Sequence, residues 1–246
     1  MKLALERVGH AFLGRTVLDD VSLALDAHET VAIVGPSGCG KTTLLAIAAG
    51  LFDPLSGRVR RAYARHAAVF QEPRLLPWRT ARENIGYGLE VRGVRRRERH
   101  AIAGRLAEAV ALAPEDLDKF PVELSGGMRQ RVAFARALAI DPEVVFFDEP
   151  FTALDVGLRR ALQDLVIGSA RERGYAALFV THDLLEAVRV AHRVIVMAHR
   201  GGRLAGMRAV AEVPGARDER TIWQTAEAWR TGDPLFAHVF DVEGRA

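Results

Sequence analysis

A glycine-rich segment near the amino terminus carries the clearest chemical signal in the 246-residue sequence. It matches the pattern G-x-x-x-x-G-K-[ST], in which glycines let backbone N–H groups turn inward around phosphate oxygens. The ammonium group of Lys41 suits the β- and γ-phosphates, and the hydroxyl of Thr42 suits Mg²⁺. The segment therefore predicts a nucleoside-triphosphate site made by Gly35, Pro36, Ser37, Gly38, Cys39, Gly40, Lys41, Thr42 and Thr43. Cys39 is open to two interpretations, a redox-sensitive thiol or a small residue that fills a tight turn.

Two adjacent carboxylates, Asp148 and Glu149, directly follow a hydrophobic run. Asp148 is suited to hold Mg²⁺ through water, and Glu149 to orient and deprotonate an attacking water molecule. Two further polar residues follow other hydrophobic runs: Gln71 is suited to metal or water coordination, and His182 to the γ-phosphate. Together with Lys41 these residues predict an ATPase that needs ATP and Mg²⁺. Its catalytic residues are Lys41, Gln71, Glu149 and His182, and its metal ligands are Thr42, Gln71 and Asp148.

The elements that must position these residues alternate along the chain. Short apolar runs predict strands buried on both faces at residues 31–34, 67–70, 144–147, 178–180 and 194–197. Between them lie helical patterns at residues 41–49, 99–112, 126–139, 157–173 and 183–191. This alternation predicts an α/β fold with a mostly parallel sheet, in which ligands bind beyond the carboxyl ends of the strands. Gly35, Gln71, Asp148 and His182 all fall at such ends, which predicts a single site.

Two regions depart from the alternation. Residues 3–26 alternate roughly around Gly14 and predict antiparallel strands, whereas residues 87–139 lack a strand pattern and are predicted to be helical. We therefore expect a nucleotide-binding core at 1–86 and 140–200 with an amino-terminal β-subdomain, and an inserted helical subdomain at 87–139. Residues 201–246 form a short carboxyl-terminal extension, which its aromatic residues predict to pack as short helices. Those residues are Trp223, Trp229, Phe236 and Phe240.

The composition excludes several classes of protein. Thirty-four basic against 31 acidic side chains leave a net charge of +3, too little for the basic footprint of a nucleic-acid-binding protein. No apolar stretch reaches the roughly 18 residues of a membrane-spanning helix. One cysteine excludes an internal disulfide or a multi-cysteine zinc site. We expect a cytoplasmic, soluble chain, so that any membrane segment must belong to another chain.

A second glycine-containing segment, Leu-Ser-Gly-Gly-Met-Arg-Gln-Arg at residues 124–131, narrows the assignment. A serine followed by two glycines at a helix start makes another anion-binding helix end. The segment closely resembles the signature motif of ATP-binding cassette proteins. The resemblance implies that two copies of the chain enclose two ATP molecules head to tail. Its nucleotide contacts would then be Ser125, Gly126, Gly127 and Gln130.

The resemblance extends over about residues 3–200, in the order typical of the cassette family. It implies a P-loop NTPase fold with a RecA-like, mostly parallel sheet. Residues 35–42 resemble the Walker A motif, Gln71 the Q-loop, residues 144–148 Walker B, and His182 the switch histidine. Residues 153–155 resemble the D-loop, which places Asp155 at the nucleotide. Phe12 falls where the family has an aromatic that stacks on adenine; packing among the first strands is the alternative.

The sequences of two segments, residues 70–79 and 148–155, are similar to those of ATPase subunits of bacterial nitrate/sulfonate/taurine-type importers. Thiamine-precursor importers belong to the same group. The resemblance implies a separate permease, contacted around Leu75, Leu76 and Trp78, and indirectly a solute-binding protein. It places the chain at the cytoplasmic face of the bacterial inner membrane. Two alternatives stay open: an exporter subunit, or a cassette ATPase outside transport.

Overall fold

The computed structural model describes residues 1–152, 154–198 and 201–236. The strands are β1 (Leu3–Phe12), β2 (Arg15–Leu25), β3 (Thr30–Val34), β4 (Ser56–Arg61), β5 (His66–Val69), β6 (Val144–Asp148), β7 (Ala176–Thr181), β8 (Arg193–Met197) and β9 (Leu204–Ala209). The α-helices are α1 (Lys41–Ala49), α2 (Ala81–Val91), α3 (Arg96–Ala109), α4 (Gly126–Ala139), α5 (Val156–Arg173), α6 (Leu184–Val190) and α7 (Glu219–Gly232). None of these helices combines the length and the apolar character needed to cross a membrane.

The chain divides into two units, residues 1–64 with 174–246, and residues 65–173. In the first unit, β1 lies between β2 and β4 and pairs antiparallel with both. The β1–β2 pairing runs from Leu3 opposite Leu25 to Phe12 opposite Arg15, so the chain reverses at Leu13 and Gly14. The predicted antiparallel strands and their turn are thus confirmed.

A second sheet of the first unit carries the parallel strands. β3 pairs parallel with β7 on one side and with β8 on the other, and every residue of β3 and β7 is buried. Strands buried on both faces need continuous apolar runs, which is why the sequence shows no alternation there. This part of the prediction is confirmed.

The carboxyl-terminal extension differs from the prediction of short helices alone. β9 pairs antiparallel with β8, and the 14-residue helix α7 follows it. The strand escaped prediction because its residues are mostly exposed and include Arg208 and three small residues, so it has no apolar run. Trp229 stacks on Phe236, with ring centroids 4.9 Å apart, which anchors the end of α7. Phe240 lies outside the described residues.

The second unit combines two parallel strands with a set of helices. β5 pairs parallel with β6, and α2, α3 and α4 pack against one another. The predicted helical subdomain, residues 87–139, lies wholly within this unit, and its described residues contain no strand. Phe134 of α4 stacks on Phe147 of β6 and on Phe151, with centroid distances of 5.8 and 5.6 Å. These rings join α4 to the strand that ends at the acidic pair.

One helix is displaced from its predicted position. α3 covers Arg96–Ala109, one turn earlier than the 99–112 predicted from its apolar residues. The helix ends early because Ala111 takes a left-handed conformation with φ +52°. The amide of Leu112 then donates back to the carbonyl of Ala107 over 2.8 Å, which satisfies one of the last helical carbonyls.

Candidate functional site

The glycine-rich loop connects β3 directly to α1 in the first unit, which is the arrangement the motif requires. Gly40 has φ +106°, and a Cβ there would stand 2.7 Å from the carbonyl oxygen of Val17, so only glycine fits. The first turn of α1 carries no acidic residue, which leaves its positive end uncompensated for an anion. The local geometry is therefore that of an anion-binding loop.

Lys41 begins α1 and is almost fully buried. Its Nζ donates hydrogen bonds to the carbonyl oxygens of Gly35 at 2.7 Å and Pro36 at 2.9 Å. The ammonium group thus spans the loop and lies on the loop side of the helix start. Thr42 is exposed and Thr43 half-buried at the same helix end.

The structure favours the structural interpretation of Cys39. The side chain is 4% exposed, and its Sγ lies 2.9 Å from the point where a Cβ on Gly35 would stand. Burial raises the pKa of the Cys39 thiol, only partly opposed by the positive charge of Lys41. A thiol held protonated is a poor nucleophile, because the thiolate is the reactive form.

The surroundings of Phe12 are compatible with both predicted roles, packing among the first strands and stacking on adenine. Its ring packs edge-on against His10 at 4.7 Å and against Phe52 at 6.1 Å, yet the residue is 45% exposed. It therefore belongs to a small aromatic cluster and still offers surface on which a planar base can stack.

His182 follows β7 in the same unit. Val34 and Thr181 are paired in the β3–β7 register, so Gly35 and His182 each follow one of two paired strand ends. The residues on both sides of His182 are tied by hydrogen bonds. Thr181 Oγ1 donates to Glu186 Oε2 over 2.7 Å, and Asp183 Oδ1 accepts from the amides of Leu185 and Glu186. Asp183 thereby caps α6.

The second unit repeats this pattern at the ends of β5 and β6. Val69 pairs with Phe147, so Gln71 and Asp148 come just beyond paired residues of neighbouring strands. Asp148 is 8% exposed, whereas Gln71 is exposed. Within each unit, the predicted site residues thus lie at the carboxyl ends of paired strands.

Glu149 has a backbone conformation that the sequence did not indicate. Its φ is +45°, in the left-handed region, which costs a non-glycine residue roughly 1–2 kcal/mol. Thr152 Oγ1 donates to the Glu149 carbonyl at 3.2 Å and to its carboxylate Oε2 at 3.3 Å. Strained backbone that is held by its surroundings concentrates at functional sites, so the carboxylate is set in one orientation.

Gln130, which the resemblance placed among the nucleotide contacts, is buried in the second unit, where its amide nitrogen binds two backbone carbonyls. It is 3% exposed, and its Nε2 donates to the carbonyl of Phe70 at 3.2 Å and to that of Pro150 at 2.8 Å. Those carbonyls lie next to Gln71 and Glu149 in the chain. Arg136, six residues further along α4, donates to the carbonyls of Pro73 and Arg74 at 2.7 and 2.8 Å. None of these four bonds has a local sequence signal, because the partners lie 20 to 63 residues away.

The amino end of α4 carries the residues that the sequence assigned to a second anion-binding helix end. Ser125 caps it by accepting from the amide of Met128 at 3.2 Å, and no acidic residue lies in the first turn. Ser125 and Gly126 are exposed, Gly127 is half-buried, and a Cβ on Gly127 would meet Leu158 at 2.7 Å. Asp155 accepts from the amide of Leu158 at 2.9 Å. Ala153, in the predicted D-loop, lies outside the described residues.

A loop of the second unit presents the apolar segment around residue 78. Trp78 is 70% exposed, while Leu75 and Leu76 are half-buried. Fully buried Asn84, which the sequence did not single out, holds this loop. Its Oδ1 accepts from the amide of Leu76 at 2.8 Å, and its Nδ2 donates to the carbonyls of Leu76 and Arg79 at 3.1 and 3.0 Å. The loop therefore exposes an indole on backbone that Asn84 holds in place.

Comparison with known proteins adds the family context. The model of the family described as "ABC transporter" matches residues 18–152, more than half of the chain. An aliphatic sulfonates import ATP-binding protein of Pseudomonas savastanoi pv. phaseolicola is 45% identical over 210 residues, which cover 85% of this chain and 86% of that protein. A taurine import ATP-binding protein of Roseobacter denitrificans is 42% identical, over 76% of this chain and 72% of its own.

Solved structures agree in fold. The dimeric structure of a bacterial ABC transporter cassette superposes with a TM-score of 0.78 at 29% identity, over 85% of this chain and 99% of that one. A dimeric post-hydrolysis state of an ATP-binding cassette, bound to ADP and Pi, gives a TM-score of 0.77 at 29% identity. The α/β P-loop NTPase fold predicted from the sequence is thereby confirmed.

Proposed function

Because the chain belongs to the ABC transporter family, we propose that it is the ATP-hydrolysing subunit of a bacterial importer of small organic acids such as sulfonates or taurine. The observation that carries the proposal is the presence, in one chain, of an anion-binding loop at Lys41 and an exposed, serine-capped helix end at Ser125. The names of the relatives, sulfonate and taurine import proteins, support the substrate class.

The phosphate-binding residues fit a nucleoside triphosphate and Mg²⁺. The position of Gly40 has no room for a side chain, and the first turn of α1 contains no acidic residue. Lys41 supplies a positive charge on the loop. The hydroxyl of Thr42, the amide oxygen of Gln71 and the carboxylate of Asp148 are hard oxygen donors, which Mg²⁺ prefers. Bound Mg²⁺ would neutralise charge on the phosphates. Phe12 offers its exposed face to adenine.

Hydrolysis needs a base and a group at the γ-phosphate. We assign Glu149 as the base that orients water, because its left-handed backbone and the bond from Thr152 hold the carboxylate in place. We assign His182 to the γ-phosphate because of the strand that precedes it. His182 directly follows β7, which pairs with β3, and β3 leads into the glycine-rich phosphate loop. Gln71 completes the set, and Gln130 positions the chain on either side of Gln71 and Glu149.

The proposal includes a head-to-tail pair of identical chains. Ser125, Gly126 and Gly127 of one copy would face the ATP bound to the other, with Asp155 nearby. The exposed cap at Ser125 supports this assignment, as do the dimeric forms of the solved cassettes. ATP would draw the two copies together and hydrolysis would release them.

The permease contact is assigned to the loop that carries Leu75, Leu76 and Trp78. Its exposed indole and the hydrogen bonds from Asn84 would let this loop bind a helix of an integral-membrane partner. The chain would then act at the cytoplasmic face of the inner membrane, held there by the permease, which in turn receives solute from a binding protein. No nucleic acid is involved.

Replacing Glu149 with Gln tests the enzymatic part of the proposal. The variant should bind ATP with unchanged affinity, accumulate as an ATP-bound dimer in size-exclusion chromatography, and lose at least a hundredfold in kcat. Glu172→Gln, which neutralises an exposed acid on α5, is the matched control and should retain full activity. Full turnover by Glu149→Gln would remove this residue as the base.

A substitution at the helix cap tests the dimer. Ser125→Arg should leave ATP binding to the monomer intact, yet abolish hydrolysis and ATP-dependent dimerisation, because its effect falls on the other copy. Loss of monomer binding with unchanged dimerisation would contradict the head-to-tail arrangement.

A further inference from the structure

The carboxyl-terminal extension is fastened to α6, the helix that follows His182. Arg217, just before α7, is 8% exposed, and its guanidinium donates to four carbonyl oxygens. Two of them belong to Val188, at 2.5 Å, and Arg189, at 3.5 Å, both in the last turn of α6. The others belong to Ala211, at 2.7 Å, and Glu212. One side chain therefore binds the end of α6 to the turn after β9.

This contact satisfies a need of the short helix. The last four carbonyls of any helix lack an intrahelical partner, and the negative end of the helix dipole favours a cation there. Burial lowers the pKa of Arg217 to about 10, so the guanidinium stays charged at neutral pH. Because α6 has only seven residues, it is too short to be stable alone and depends on tertiary contacts for its position.

A second contact joins α6 to α7. Arg189 on α6 forms an ion pair with Glu219 in the first turn of α7. An open cavity of ≈ 430 Å³ also lies between the two elements, lined by His182 and Leu185 and by Trp223, Ala226 and Arg230 of α7. The extension thus reaches the surroundings of His182 itself.

The amino end of α6 is in turn tied to the residues on both sides of His182. Glu186 accepts from the Thr181 hydroxyl, and Asp183 caps the helix through the amides of Leu185 and Glu186. A tilt or slide of α6 would therefore displace residues 181 and 183 together. We propose that the carboxyl-terminal extension positions His182 for hydrolysis, with Arg217 as the positioning residue that acts through α6. This inference rests on the proposed role of His182 at the γ-phosphate.

Arg217→Met in the full chain is the central test, because it keeps an unbranched side-chain stem and removes every side-chain donor. We expect kcat for ATP hydrolysis to fall about tenfold, while the Kd for ATP changes less than twofold, since the phosphate loop is untouched. Arg217→Lys, which restores a single ammonium group, should recover part of the rate. Arg220→Met, at an exposed arginine of α7, is the matched control and should behave as the unmodified protein.

A spectroscopic measurement separates positioning from general destabilisation and from failure of the proposed function. The ring Cε1–H NMR signal of His182, assigned by its loss in His182→Ala, should shift in Arg217→Met and stay unchanged in Arg220→Met. This signal tests the position of His182 even if His182→Ala were to keep full hydrolysis, an outcome that would refute the catalytic role and not the positional one.

A milder variant covers the case in which Arg217→Met does not fold. Glu219→Gln removes the ion pair with Arg189 at a largely exposed side chain and should lower kcat about twofold without altering the Kd. Wild-type kcat and an unshifted His182 signal in Glu219→Gln and in every folded Arg217 variant would overturn the inference. So would equal losses in Arg217→Met and Arg220→Met.

Discussion

Replacing Gln130 with leucine should weaken both the fold and the chemistry of the second unit. Leucine has similar bulk and helix propensity but cannot donate to the carbonyls of Phe70 and Pro150, which now accept at 3.2 and 2.8 Å. A buried carbonyl left without its donor costs about 1–3 kcal/mol. The bond to Pro150 is buried and short and carries most of this cost, whereas the longer, part-buried bond to Phe70 carries less. The free energy of unfolding should therefore fall by about 2–4 kcal/mol.

Urea denaturation followed by circular dichroism measures that loss as a lower midpoint at unchanged slope. The kcat for ATP hydrolysis should fall more than the affinity for ATP, because the freed carbonyls lie next to Gln71 and Glu149 and not in the phosphate loop. Gln224→Leu, at an exposed position of α7, is the control and should change stability by less than about 0.5 kcal/mol. Stability and activity of Gln130→Leu equal to those of this control would show that the two bonds do not position the site.

Three further predictions concern the first unit. Iodoacetamide should modify native Cys39 far more slowly than the unfolded chain, since burial raises the pKa of its thiol, and the modified protein should no longer bind ATP in a fluorescent-nucleotide assay; normal binding after complete modification would contradict the packed geometry. Gly40→Ala should abolish nucleotide binding in the same assay, because its Cβ would stand 2.7 Å from the Val17 carbonyl, and binding within twofold of the original would refute this. Burial lowers the pKa of His192, whose Nδ1 accepts from the Thr30 amide at 3.0 Å. As the pH falls, this histidine is therefore protonated at a higher pH in the unfolded chain than in the folded one. The free energy of unfolding should therefore decline as the pH falls below the ordinary value of 6.5, and His192→Asn should flatten this decline in urea titrations; an equal slope in both proteins would exclude His192 as its source.

Residues that act within a contiguous motif were predictable from the sequence. The phosphate loop is local: its glycines, Lys41 and the start of α1 lie within a few residues, so their spacing alone indicates their geometry. The strand ends were predictable for a related reason. Continuous apolar runs mark strands buried on both faces, and the residue that follows each strand lies at its carboxyl end, as Gly35 and His182 do.

Backbone conformations and weakly patterned elements were harder to foresee. The left-handed φ of Glu149 leaves no trace in a residue type that ordinarily avoids it. β9 lacks an apolar run because it lies at an edge of its sheet and is mostly exposed. In α3 the apolar residues marked the presence of a helix, but its end depended on the turn at Ala111.

The side chains that hold the functional segments in place emerged only from the tertiary structure. Gln130, Asn84 and Arg217 each bind backbone carbonyls that another part of the chain brings near. In sequence, Asn84 and Arg217 are ordinary polar residues, and the resemblance placed Gln130 at the nucleotide and not against these carbonyls. A motif repeats a local geometry and so leaves a local pattern, whereas a hydrogen bond to a carbonyl 20 or 29 residues away depends on how the elements pack. Short segments of the sequence therefore identify the candidate functional residues. Buried polar contacts between elements distant in the chain determine how those segments are oriented.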